Sequence, residues 1–116
     1  MTPEELLAAW DAGEQPERTV VRGAVKESLA RLVAKAPGRS VEVRVPPHAA
    51  VQAIEGATHR RGTPPAVVEC DARTWLELAS GRASWDDALA DGRVRASGER
   101  SDLSPYLPLP PEQVRE

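Results

Sequence analysis

The sequence predicts an α+β domain in which helices cover one face of a mainly antiparallel sheet, and three observations carry that prediction. Apolar residues recur at three-to-four spacing from Val21 to Ala36, alternate singly through Val41, Val43 and Val45, and return to helical spacing after Asp71. Capping residues, glycines and prolines stand at the borders of these stretches. No internal repeat is visible.

In chain order, Thr2 followed by Pro3, Glu4 and Glu5 has the form of a helix start: a capping hydroxyl, proline in the first turn and carboxylates at the positive end of the macrodipole. That helix runs through Leu6, Leu7 and Trp10 and ends by Gly13. Pro16 opens a second helix, whose stripe of Val21, Ala24, Val25, Leu29, Leu32 and Ala36 packs on the core, and Pro37-Gly38 closes it. The period then falls to two, giving a half-buried strand over Val41 to Val45 that Pro46-Pro47 ends. Ala49 to Ile54 is predicted as a second strand, antiparallel to the first across a short connection. A polar loop from Gly56 to Pro65 leads to a third strand, Ala66 to Cys70. Asp71 and Ser84 each cap a short helix, stopped by Gly81 and Gly92. Arg93 to Ser97 alternates again as a fourth strand. Ser101 to Leu107 holds a last helical turn, and Pro108, Pro110 and Pro111 predict an extended tail. Patterning alone thus gives three successive antiparallel strands and a fourth after the paired helices.

At 116 residues the chain is long enough for one core and no more, since a domain of this size buries about 65% of its unfolded surface. The predicted organisation is a single domain over 1–116, with N-terminal helices in 1–36, sheet and helices in 40–107 and a Pro-rich tail in 108–116. An apolar fraction of 41% against 28% charged residues excludes disorder throughout. The net charge of −3 argues against a nucleic-acid partner, which requires a basic face. Acidic residues at the N-terminus and the absence of a long apolar run predict a cytoplasmic protein without an integral membrane segment. One cysteine and two histidines leave no disulfide and no metal cluster at familiar spacing. With no phenylalanine, the core must be built from Val, Leu and Ala around Trp10, Trp75, Trp85 and Tyr106.

The run Asp71-x-x-Thr74-Trp75-x-x-Leu78-x-x-Gly81, then Trp85-x-x-Ala88-x-x-x-Gly92-x-Val94-x-x-x-Gly98, resembles the C-terminal part of the sterol carrier protein 2 superfamily. Val45-Pro46-Pro47, Gln52-x-Ile54-Glu55-Gly56, His59-x-Arg61-Gly62-Thr63-Pro64-Pro65 and Arg95-Ala96-Ser97-Gly98-Glu99-Arg100 resemble its small bacterial orthologues more narrowly. The resemblance covers about Ser40 to Leu107. It implies a mixed, mainly antiparallel sheet of four to five strands with helices packed on one face, an apolar cavity between the layers, no cofactor, and a fatty acid, acyl chain or sterol-like molecule as partner. It implies no enzyme activity.

On this reading Val51, Ala53, Val67, Trp75, Leu78, Trp85, Leu89, Val94, Leu103, Tyr106 and Leu107 lie between sheet and helices, where they either line the ligand cavity or fill the core with no ligand. His59, Arg61 and Thr63, in a loop with guanidinium and backbone donors, either hold an anionic head group at its mouth or belong to a solvated loop in which Arg61 pairs with Glu55 or Glu69. A Phe-free lining predicts a modest pocket. The alternative is a protein–protein interaction or dimerisation module that uses the same groove, or the Val41 to Val45 strand as an edge. Cys70, His59 and Asp71 are the residue types of a thiol triad, but a cysteine ending an apolar strand behaves as a small hydrophobe. Asp86 and Asp87 are explained as helix-start carboxylates, and neither they nor the Glu55/His59 pair is assigned to acid–base catalysis.

Overall fold

A computed structural model of the chain describes residues 1–56, 66–98 and 101–110. The elements follow in the order α1 (Pro3–Asp11), α2 (Arg18–Lys35), β1 (Val41–Val45), β2 (Ala49–Ala53), β3 (Ala66–Cys70), α3 (Ala72–Ser80), α4 (Trp85–Ala90) and β4 (Val94–Ser97), with a 3-10 turn at Ser104–Tyr106. The predicted caps form. The Thr2 hydroxyl accepts from the Glu5 N–H while the Glu5 carboxylate accepts from the Thr2 N–H, both at 3.1 Å. Asp71 and Ser84 accept from the N–H groups of Thr74 and Asp87, and Gly81 ends α3 at a φ of 84°.

The α+β class stands, and the sheet is mixed. Its strand order is β2-β1-β3-β4. β1 runs antiparallel to β2 but parallel to β3, and β3 runs antiparallel to β4. Two expectations are corrected here. The first three strands do not form an antiparallel meander, because β3 pairs parallel with β1 on the side away from β2. For the same reason Val41–Val45 is not an edge: both of its sides are occupied, so it has no free ladder for a partner strand. Alternation fixes which face of the sheet each side chain takes, not which strand is the neighbour.

Register places Val43 between Val51 and Val68, with Ala96 beyond, and Cys70 opposite Val94. These residues form the face that α2 and α3 cover. The opposite face carries Glu42, Arg44, Gln52, Glu69 and Arg95. α2 buries Val21, Ala24, Val25, Leu29 and Leu32 as its stripe predicts, together with Ser28. Ser28 answers a polar need: the buried Trp75 indole N–H donates to its Oγ at 2.8 Å, while that hydroxyl donates back to the Ala24 carbonyl at 2.8 Å. The core of this Phe-free chain is thus centred on a tryptophan from α3 whose polar atom is satisfied from α2.

β2 ends one residue earlier than predicted, because Ile54 turns into the left-handed region at a φ of 69°. Three hydrogen bonds hold it there. Its N–H donates to the Ala36 carbonyl at 2.7 Å, and its carbonyl accepts from the N–H and the hydroxyl of Ser40 at 3.0 and 2.6 Å. The end of α2 and the start of β1 are thereby tied to the end of β2. α1 is fixed to α3 by buried Leu6 and Leu7 and by Asp11, whose carboxylate pairs with both Arg73 and Arg82. The Arg82 hydrogen bond, reinforced by the nearby guanidinium charges, holds the Asp11 carboxyl below its ordinary range.

Candidate functional site

Between sheet and helices the molecule is filled. Trp75, Leu76, Leu29, Leu32, Val41 and Val43 have no solvent exposure there, and Ala53, Val94 and Leu103 pack with them. An empty void of about 300 Å³ would cost roughly 7 kcal/mol at about 24 cal/mol per Å³, much of the stability of a small domain. Two surface openings flank a strap formed by residues 107–109. Leu109 is buried and its N–H donates to the Ala79 carbonyl at 2.9 Å. Arg31 donates to the Pro110 carbonyl at 2.8 Å, and Lys35 to that of Tyr106 at 3.1 Å. The predicted tail is therefore stitched to α2 and α3 as far as Pro110.

On one side of the strap runs a groove of about 960 Å³, at the upper end of small-molecule sites. Val20, Gly23 and Ala24 of α2, Ala79 of α3, and Pro108 and Leu109 of the strap supply its apolar surface. The first turn of α1 supplies another wall, with Glu4 and Glu5, and Glu27 and Arg31 stand on the α2 side. On the other side is a cleft of about 310 Å³ lined by Leu78, Gly81, Ala83, Trp85, Leu107 and Pro108. At this wall Gly81 has a positive φ, and a Cβ there would stand 3.2 Å from the Pro108 ring, a tight contact.

Gly23 is the informative residue of the larger groove. It sits inside an 18-residue helix, where glycine costs about 0.5–1 kcal/mol relative to alanine. Nothing in the fold demands it: a Cβ added there meets no atom within 4 Å. It lines the groove, where the α2 backbone carries no side chain.

Of the residues predicted to line a cavity, the structure brings Leu78, Trp85 and Leu107 together, in the smaller cleft. Trp75, Ala53, Val94 and Leu103 are packed into the core, with Val51 and Tyr106 half-buried against it. Val67 is not between the layers: it pairs with Glu42 and Ser97 on the opposite face. The run Ala66-Val67-Val68 is apolar on both faces, so its sequence could not reveal which side faces the helices. Leu89 is 39% exposed, because α4 turns only Trp85 and Ala88 inward. His59, Arg61 and Thr63 lie outside the described residues, as does the head-group role read for them. Sequence reasoning missed the α1–α2 groove. The signal was present in Gly23, an isolated glycine in a helical pattern without a breaking role.

Cys70 is buried, and desolvation, with Asp71 and Glu69 close by, pushes its thiol up to about 12. It holds its proton at neutral pH and is no nucleophile. The Asp71 carboxylate is engaged in capping α3.

The mixed sheet with helices on one face makes the molecule an α+β domain and is consistent with the sterol carrier protein 2-like fold. A family model described as bacterial SCP ortholog, SCP standing for sterol carrier protein, matches residues 17–109, and the chain belongs to that family. No curated protein matches it. α1, which walls the groove, precedes the matched residues. Among the described residues no helix is long and apolar enough to cross a membrane.

Proposed function

We propose that this protein binds a single-chain apolar ligand in the groove between α1, α2 and the 107–109 strap, without performing chemistry on it. The observation that carries the reading is Gly23, a helix-weakening residue whose missing side chain leaves open space along a groove of about 960 Å³. Membership of a sterol carrier family supports an apolar ligand. Burial of its chain against Val20, Ala24, Ala79 and Leu109 supplies the affinity, at about 25 cal/mol per Å² removed from water. The strap carries the third wall, held by the Leu109 hydrogen bond to Ala79 and, one residue further on, by that of Arg31 to Pro110.

Titration with Nile red, an uncharged dye whose emission shifts in apolar surroundings, tests the site. The wild type binds it saturably, and Gly23→Leu, whose side chain projects into the groove from a position without steric conflict, loses that binding at least tenfold. Equal saturable binding by the two proteins would place the ligand elsewhere, and the absence of saturable binding to the wild type would overturn the reading.

A further inference from the structure

The groove ends at the strap. Along α2 its lining runs from Thr19 to Arg31, a distance of about 18 Å at about 1.5 Å of helical rise per residue. At the Arg31 end the strap is tied down by the Arg31 hydrogen bond to the Pro110 carbonyl. Leu109 lines the groove, Leu107 lines the smaller cleft on the other side, and Pro108 lines both. The same division passes through the end of α3: Ala79 and Ser80 belong to the groove and Gly81, the next residue, to the cleft. The Pro108 ring is therefore the partition between the two openings. Its seat is Gly81, where a Cβ would stand 3.2 Å from the ring carbons. It is anchored on both sides, by the Lys35 bond to the Tyr106 carbonyl and by the Leu109 N–H bond to that of Ala79.

Resting on the groove reading above, we propose that Pro108 is the end stop of the groove and sets the longest unbranched chain it accepts. An extended alkyl chain with C–C bonds of about 1.5 Å advances about 1.25 Å per carbon, so about fourteen carbons fill the 18 Å alongside α2. Each methylene that lies within the groove leaves water and strengthens binding by up to about fourfold. A methylene carried past Pro108 returns to water and adds nothing. Without the ring the chain continues into the cleft of about 310 Å³, where further methylenes meet Leu78 and Trp85. The partition thus decides chain length, while the affinity of a chain short of it is decided by the groove.

Octaethylene glycol monoalkyl ethers with straight chains of ten to eighteen carbons, uncharged and used below their micellar concentrations, are compared as displacers of Nile red. On the wild type, affinity rises with chain length to about fourteen carbons and then levels, so that the fourteen- and eighteen-carbon ethers bind alike. Pro108→Ala puts the eighteen-carbon ether at least about tenfold ahead of the fourteen-carbon one. Adding Ala83→Leu, whose side chain fills the cleft, brings the two level again. Ala83→Leu alone leaves the wild-type pattern in place. The end-stop inference fails, while the groove reading stands, if wild-type affinity climbs on to eighteen carbons or if Ala83→Leu alone weakens the eighteen-carbon ether. It fails equally if Pro108→Ala, folded by circular dichroism, keeps the two ethers level. The first two results leave the strap untouched and decide the matter even where Pro108→Ala does not fold. If none of the ethers displaces the dye, or if Gly23→Leu leaves every affinity unchanged, the groove reading fails and the inference with it.

Discussion

Replacing Gly23 by alanine should raise the melting temperature of this protein by about 4 °C. The position lies in the interior of α2, and the new methyl group meets no atom within 4 Å, so no packing term opposes the gain. What remains is the backbone: alanine is favoured over glycine by about 0.8–1.0 kcal/mol in a helix interior, largely because the unfolded chain has fewer conformations to lose. An unfolding entropy of about 2.1 cal/mol/K per residue amounts to roughly 0.24 kcal/mol/K for 116 residues, so about 1 kcal/mol moves Tm by about 4 °C. Thermal unfolding followed by far-ultraviolet circular dichroism measures it. Gly23→Leu should share most of the gain, leucine being nearly as good a helix former, while losing the dye. Stability and binding thus move in opposite directions, as they do where a residue is kept for function at the expense of stability. A lowered Tm for Gly23→Ala would show that the α2 surface at Gly23 is not open, and would refute the reasoning that makes this glycine a mark of the ligand.

Other substitutions test the fold that holds the groove. Ser28→Ala leaves the buried Trp75 indole N–H without its acceptor and should cost about 1–3 kcal/mol, read as a lower urea midpoint at unchanged slope. Gly38→Ala should be far worse, above about 3 kcal/mol, because its φ of 152° disfavours a side chain and the Cβ would lie 2.1 Å from the Ile54 carbonyl oxygen; circular dichroism after purification would show a largely unfolded chain. Cys70 gives a pH dependence. Its folded pKa, about 12, is above the unfolded value near 9, so its contribution is complete below pH 9 and is lost as pH rises towards 12, by about 1.4 kcal/mol per pH unit. Denaturant titrations between pH 9 and 11 should show that slope in the wild type and a shallower one, by about that amount, in Cys70→Ala.

The sequence by itself determined the elements and the caps that bound them, because helix starts and strand alternation are short-range properties written into neighbouring residues. Thr2, Asp71 and Ser84 cap where their side chains can reach an N–H three residues on, and Gly81 stops α3 because it tolerates a positive φ. The stripe of α2 and the buried face of β1 were legible for the same reason. The placement of β3 was not, since a strand's neighbour is decided by packing between residues distant in the chain and not by its own alternation. Nor was the side on which Val67 stands, in a run apolar on both faces. The groove was beyond sequence reading in a different way. Its walls come from α1, α2, α3 and the strap, residues as far apart as Glu4 and Leu109, and only tertiary packing brings them to one place. Gly23 was visible in the sequence as a weakness in a helix; the structure alone decided that the weakness faces open space rather than a tightly packed neighbour.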